Sequence, residues 1–141
     1  MTATYDGLEF KTALIAQWAA FFDLAGWSWR VNPSPIGNWS PDFRVTFPCG
    51  HSECGGSHTL LISVLPIANI GDFTGHPCQS FPYGDDYSGT VIAADASAAF
   101  GNSPKVTRWE MVHGAGGGQE SVESWVDNAE ALWVRAGDLV A

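Results

Sequence analysis

The sequence predicts a single α/β domain, in which a helix precedes a mixed β-sheet and an amphipathic helix follows it. Three observations support this prediction. Apolar residues recur at the helical period near the N-terminus and again near the C-terminus. Between these two segments, short stretches either alternate apolar and polar side chains or are continuously apolar, as strands do. The length of 141 residues is typical of one domain.

The first predicted element is a helix over residues 10–25. Thr12 is of a type that caps helix starts, and Gly26 is of the type that follows helix ends. The apolar face of this helix consists of Leu14, Trp18, Phe21, Phe22 and Ala25. A helix with so large an apolar face is expected to pack against a sheet.

Three strands are predicted next, and together they form a meander. Residues 27–34 and 43–47 alternate bulky and polar side chains. Residues 59–67 are continuously apolar and β-branched, which favours a central strand that is buried on both faces. Residues 48–58 are predicted to be the loop between the second and third strands.

The second half of the chain is less regular. Residues 90–95 are predicted to be a short buried strand, and residues 96–104 a short helix or a turn. Residues 105–113 alternate and predict a strand. The glycine-rich residues 114–118 predict a flexible connection.

The last predicted element is an amphipathic helix that ends at Gly137. Its apolar face consists of Val122, Trp125, Val126, Ala129, Leu132, Trp133 and Ala136. Because neither an internal repeat nor a low-complexity linker interrupts the chain, one domain over residues 1–141 is expected.

The charge balance bears on the kind of partner. Lys and Arg number 6 and Asp and Glu number 15, which gives a net charge of -9. Affinity for nucleic acid comes from cations that neutralise phosphates, so weak or absent binding to nucleic acid is expected. A protein partner, for example a basic one, suits this charge better. The six cations are scattered: Lys11, Arg30, Arg44, Lys105, Arg108 and Arg135.

Targeting features and cysteine usage predict a cytoplasmic protein. No segment approaches the roughly 20 apolar residues of a membrane span, so no membrane partner is expected. No basic region precedes an apolar run at the N-terminus, so no signal peptide is expected. The three cysteines cannot all pair within the chain, which favours free or metal-bound thiols in a reducing compartment.

A family resemblance covers residues 5–67. The stretch "YDGLEFKTALIAQWAAFFDLAGW", followed by "SPDF", resembles small nuclease-like proteins of phages and bacteria in the restriction-endonuclease-like PD-(D/E)XK superfamily. The resemblance implies a core in which an opening helix packs on a three-stranded meander. It also implies metal-assisted phosphodiester hydrolysis, in which an Asp and a Glu hold Mg²⁺ and a Lys assists.

The catalytic residues of that family are mostly replaced in this chain. The resemblance assigns Asp42 to the Asp of the Pro-Asp motif, Ser63 to the second acid, Leu65 to the Lys and Ile15 to a helical Glu. Mg²⁺ binding is therefore not expected, and Ile15 and Leu65 should pack into the core. Asp42 should act as a turn or capping acceptor. The alternative is that Glu9 or Asp95 replaces a lost carboxylate.

Cysteine and histidine crowd into residues 49–58 and 76–78, which predicts a structural Zn²⁺ site. The predicted ligands are Cys49, His51, Cys54 and Cys78. His76 or His58 can take the place of His51. The alternative is that the cysteines are free thiols on a glycine-rich loop.

These observations predict a catalytically inactive nuclease-like protein of phage or mobile-element origin that binds a protein partner, with anti-defence inhibition as one form. A metal-dependent DNA nuclease with relocated ligands and a non-catalytic DNA-binding module are the alternatives. Arg30, Arg44, Lys105 and Arg108 on one face beside Asp42 would favour DNA, whereas acidic residues there would favour a protein.

Overall fold

A computed structural model of the protein describes residues 2–33, 40–48, 57–73, 96–113 and 116–141. A two-stranded hairpin comes first, and a helix follows it. A six-stranded mixed sheet, a 3₁₀ helix (Ile70–Phe73) and two C-terminal helices complete the described fold. The predicted α/β class is therefore confirmed, together with its N-terminal helix, its mixed sheet and its helical C-terminus. Among the described residues no helix is long and apolar enough to cross a membrane.

The N-terminal hairpin is an element that the sequence analysis missed. Strand β1 (Ala3–Tyr5) pairs antiparallel with β2 (Leu8–Phe10). Asp6 and Gly7 connect them with φ values of 53° and 75°. Asp-Gly is the dipeptide that two-residue hairpin turns prefer, because both of its positions require positive φ. The turn could therefore have been identified from the sequence.

Helix α1 (Ala13–Ala25) has the predicted caps but begins later than predicted. The Thr12 hydroxyl accepts the Ile15 N–H at 3.2 Å, and Gly26 adopts the left-handed conformation with φ 79°. The predicted start at residue 10 was wrong because residues 8–10 are paired in β2. The helix can begin only after the Thr12 cap.

The predicted meander is confirmed. Strand β3 (Ser28–Val31) pairs antiparallel with β4 (Phe43–Pro48), and β4 pairs antiparallel with β5 (Ser57–Val64). The register joins Trp29 to Val45 and Phe43 to Ile62. Side chains paired in this way share one face of the sheet, and this face packs under α1.

Strand β6 (Ala96–Phe100) corrects the prediction of a short helix or turn over residues 96–104. It pairs parallel with β5 in the middle of the sheet. Its small side chains predict a helix or a turn by local propensity, but Ala98 and Ala99 are almost completely buried, at 1% and 0% exposure. Burial between two neighbouring strands outweighs local propensity here. The predicted strand over residues 90–95 lies outside the described residues.

The sheet ends in an antiparallel hairpin of β7 (Thr107–His113) and β8 (Gly116–Glu120). The predicted strand over residues 105–113 is confirmed. The predicted flexible connection over residues 114–118 was wrong where it overlaps β8. Glycine is unfavourable in strands, but backbone pairing needs no side chain, and β7 supplies a complete partner.

The C-terminal helix is interrupted, which the periodic pattern did not show. It divides into α2 (Val122–Trp125) and α3 (Ala129–Asp138). Asn128 adopts a left-handed conformation with φ 56° between them, and Asn is among the few non-glycine residues that tolerate it. The apolar face continues across this break, so the hydrophobic period alone could not locate it.

The core lies between α1, α3 and one face of the sheet, and aromatic rings fill it. Trp18 is completely buried and contacts Phe21, Phe100 and Trp133 with ring centroids 4.4–5.1 Å apart. Its indole Nε1 donates to the Gly101 carbonyl oxygen at 3.0 Å, which satisfies the buried donor. On the opposite face of the sheet a smaller group, hereafter the second cluster, consists of Leu61, Ala99 and Val106, with Leu65 and Ile67 beside it.

Gly101→Ala is expected to lower the free energy of unfolding by about 1–3 kcal/mol. A methyl group at this position would lie 2.6 Å from Val106 Cγ1 and 2.8 Å from the Ile67 carbonyl oxygen. That oxygen is fixed because it also accepts the Asn102 N–H at 2.9 Å. Urea denaturation measures the change.

Gly71→Ala is the matched control, because a methyl group there meets nothing within 4 Å. This variant should change the free energy of unfolding by less than about 0.5 kcal/mol. Equal effects of the two substitutions would contradict the close packing at Gly101.

Candidate functional site

Asp42 lies at the start of β4 and hydrogen-bonds to the chain on both sides. Its N–H donates to the Ile62 carbonyl oxygen at 2.7 Å, and its carbonyl oxygen accepts the Asn32 N–H at 2.9 Å. Its carboxylate oxygen Oδ2 accepts the Val64 N–H at 2.8 Å. Asp42 was expected to accept a hydrogen bond in a turn or at a helix cap, but it accepts one from a neighbouring strand instead.

Ser63 lies near the end of β5, beside Asp42, and Leu65 follows the last residue of this strand. Because Phe43 pairs with Ile62, the next position outward places Asp42 next to Ser63. Ser63 is only 4% exposed. Leu65 is half-buried against the second cluster, as expected of an apolar residue at this position. Neither side chain offers a carboxylate or an ammonium group to a metal or a phosphate.

Ile15 lies in the first turn of α1, on the other side of Asp42. It is half-buried and packs against the main core, as expected. Thr12 accepts the Ile15 N–H, so the helix cap fixes the position of this side chain. Ile15, at the position that the resemblance assigns to a helical Glu, is therefore part of an apolar surface.

A pocket of about 90 Å³ opens where the hairpin, the start of α1 and the end of β3 meet. Its apolar lining is Leu8, Phe10, Ile15 and Val31. Its polar lining is Glu9, Lys11, Asn32 and Asp42. The pocket thus brings together two of the four expected positions, Ile15 and Asp42. Ser63 and Leu65 do not line it.

The polar residues of the pocket were only partly foreseen. Glu9, a candidate for a relocated carboxylate, shares the pocket with Asp42. Lys11 and Asn32 were not named. The alternation of "LEFK" after an Asp-Gly turn could have predicted a strand that places Glu9 and Lys11 near each other. Asp95, the other candidate carboxylate, lies outside the described residues.

The lining contains two carboxylates, those of Glu9 and Asp42, and the ammonium group of Lys11. Mg²⁺ prefers near-octahedral oxygen coordination, usually with one or two carboxylates and several waters. Glu9 is exposed on the hairpin, and Asp42 is half-buried with one oxygen on the Val64 N–H. Within the described part of the chain, no group of three or more His, Cys, Asp or Glu residues is placed to hold a metal ion.

Hydrogen bonds hold the hairpin that contains Glu9, and that Lys11 directly follows, in place. Tyr5 Oη donates to Asp23 Oδ2 at 2.5 Å, and Trp29 Nε1 donates to Asp23 Oδ1 at 2.8 Å. Thr4 and Ala141 exchange two backbone hydrogen bonds at 2.9 and 3.0 Å. The pocket therefore has one wall that is held in place by α1, β3 and the last residue of the sequence.

The predicted zinc ligands lie almost entirely outside the described residues. Cys49, His51, Cys54 and Cys78 all fall there, as does the alternative ligand His76. The other alternative, His58, lies in β5, with its ring 5.7 Å from Phe47 and 5.4 Å from Trp125. The Zn²⁺ site remains a prediction.

Three of the arginines share a face of the sheet, opposite the main core. Arg30 pairs with Arg44, Arg44 pairs with Leu61, and Arg108 pairs with Ala99. Arg44 and Arg108 are half-buried and take part in interactions within the protein, whereas Arg30 is exposed. Three of the four cations in the criterion for DNA therefore share a face, and two of these three already have partners inside the protein.

Comparison with known families, with curated proteins and with solved structures finds no match to this chain.

Deprotonation of Tyr5 should destabilise the protein in alkaline solution. Burial, the hydrogen bond to Asp23 and the charges of Asp23 and Asp6 raise the pKa of Tyr5 to about 12. The unfolded value is about 10. Because the folded pKa is the higher one, this stabilisation is complete below about pH 10 and is lost between about pH 10 and pH 12.

The measurement is the difference in free energy of unfolding between wild type and Tyr5→Phe, taken as a function of pH. The subtraction cancels the other tyrosines. Phe at position 5 cannot titrate, so the advantage of the wild type should fall as the pH rises above about 10. A difference that is constant with pH would contradict the hydrogen bond to Asp23.

Zinc is expected at about one equivalent in protein purified without chelators, and its removal should lower the melting temperature. The physical reason is that metal-binding free energy adds to folding free energy. Elemental analysis and thermal unfolding with and without a chelator measure both quantities. Metal-free protein with an unchanged melting temperature would contradict the Zn²⁺ site.

Proposed function

We propose that the protein is a catalytically inactive, nuclease-like protein that acts by binding a protein partner. The order of α1, β3, β4 and β5 supports the family resemblance, since an opening helix packs on an antiparallel meander. The resemblance also carries the proposal of a phage or mobile-element origin. Inhibition of a host defence protein is one concrete form of this function.

The observation that carries the proposal is the arrangement around Asp42. Its carboxylate accepts the Val64 N–H, its neighbour Ser63 is buried, and Leu65 and Ile15 pack against apolar residues. Metal-assisted hydrolysis needs hard oxygen ligands that converge on Mg²⁺, together with a way to activate water. These four side chains supply one carboxylate, and that carboxylate already stabilises the sheet.

The charge of the protein supports a protein partner over nucleic acid. The net charge of -9 opposes the approach of a polyanion. Exposed carboxylates occur on the described surface at Asp6, Glu9, Asp72, Glu123, Asp127, Glu130 and Asp138. A partner surface that carries positive charge would be attracted to such a surface and would associate faster at low salt.

A metal-dependent nuclease with relocated ligands is the second candidate, and one observation favours it. The pocket brings Glu9 and Lys11 together with Asp42, so two carboxylates and an ammonium group share one lining. These are the residue types that the resemblance requires, although they come from different positions. Cleavage assays separate the two candidates.

The protein is expected to cleave neither DNA nor RNA in the presence of Mg²⁺ or Mn²⁺. Asp42→Ala should instead lower the free energy of unfolding by about 1–3 kcal/mol, because it removes a charged acceptor and leaves the Val64 N–H without it. Incubation with single- and double-stranded substrates measures cleavage, and urea denaturation measures stability.

Two variants serve as controls for this experiment. Asp42→Asn keeps a side-chain oxygen acceptor and should lose less stability than Asp42→Ala. Glu9→Gln removes the carboxylate that a relocated metal site would need, at an exposed position. Metal-dependent cleavage that is present in the wild type and lost in Glu9→Gln would overturn the inactive-protein proposal and establish the relocated-ligand nuclease.

A further inference from the structure

The pocket beside Asp42 has the size of a single side chain. Its volume is about 90 Å³, whereas pockets for drug-sized ligands measure roughly 300–1,000 Å³. Leu8, Phe10, Ile15 and Val31 provide apolar walls. Leu8 is 43% exposed, which is a high value for a large apolar side chain in this protein. An occupant with an apolar stem would cover this surface.

The polar side of the pocket favours a positive charge at the end of that stem. Glu9 and Asp42 contribute two carboxylates, and Asp6 is exposed in the adjacent turn. The Asp42 carboxylate is half-buried, and its Oδ2 accepts the Val64 N–H. Lys11 is a single opposing cation at the exposed rim.

We infer that this pocket binds a lysine side chain of the partner protein, an inference that rests on the proposed binding function. The four methylene groups of the lysine would lie along the apolar walls, and the ammonium group would meet the carboxylates of Glu9 and Asp42. The net charge of -9 adds a long-range attraction for a basic segment. The pocket should bind lysine more tightly than arginine. The lysine ammonium group is more compact than a guanidinium group, and the lysine side chain has one more methylene group to lie against the apolar walls.

Because Lys11 and Glu9 carry opposite charges, removing either charge should change the affinity for a lysine side chain in opposite directions. Removal of the Glu9 charge should weaken binding of a lysine side chain by about twofold to fivefold, since exposed ion pairs contribute up to about 1 kcal/mol. Removal of the Lys11 charge should strengthen binding by a similar factor. A pocket that selected only apolar side chains would respond to neither substitution.

The test is an NMR titration of the full chain with a blocked pentapeptide that has one central lysine between glycine and serine residues. The backbone amides of residues 8–11 and 32 should shift saturably, with a dissociation constant on the order of 1 mM. A peptide with norleucine in place of lysine keeps the stem without the ammonium group and should bind more weakly. Added salt should weaken only the lysine peptide.

Matched variants separate a local effect from a change in net charge. Glu9→Gln should weaken binding, whereas Glu130→Gln, on α3 and outside the pocket lining, should not. Lys11→Gln should strengthen binding, whereas Lys105→Gln, in the turn between β6 and β7, should not. Thermal unfolding of each variant checks that the fold is unchanged.

Absence of shifts at the pocket, equal affinity for the lysine and norleucine peptides, or equal effects of Glu9→Gln and Glu130→Gln would each overturn the inference. Such results would leave the proposed function standing, because an inactive protein can bind its partner at another surface. Metal-dependent cleavage would instead overturn the proposed function, whatever the peptide does. The two failures are therefore distinguishable.

Discussion

The hydrogen bond from the Val64 N–H to the Asp42 carboxylate is the constraint on which the candidate site depends. It joins the start of β4 to the end of β5, while the backbone of Asp42 also binds Ile62 and Asn32. A bond to a charged acceptor of this kind contributes on the order of 1–3 kcal/mol. Because it fixes Asp42 between three strands, it also fixes one wall of the pocket.

Two of the six cations, Arg44 and Arg108, are engaged within the protein, whereas the other four are exposed. Arg30 and Arg44 stand opposite each other on adjacent strands, which is unfavourable unless other groups compensate. Arg44 and Arg108 are half-buried and engaged within the protein. Exposed carboxylates such as Glu9 and Glu130 face solvent. The net charge of -9 is thus spread over a surface on which three arginines share one face of the sheet.

Much of the fold could be predicted from the sequence, where local pattern and tertiary packing agree. The caps of α1, the alternation of β4 and the apolar run of β5 identified these elements, although α1 begins three residues later than predicted and β5 ends at Val64. Strand β6 could not be predicted, because alanine-rich residues become a strand only when β5 and β7 pair with them. The break at Asn128 leaves the apolar face intact and is invisible to periodicity.

Of the four positions that the resemblance assigned, Asp42 and Ile15 line the pocket, whereas Ser63 and Leu65 do not. Lys11 was not predicted at the pocket, because the helix predicted over residues 10–25 included it. A titration with Mg²⁺ that follows the backbone amides of Val64, Glu9 and Lys11 by NMR tests the central claim most directly. If the Asp42 carboxylate serves the sheet, these amides should show no saturable shift up to millimolar Mg²⁺. A saturable shift shared by Val64 and Glu9, and lost in Asp42→Asn, would show a metal site and contradict the account.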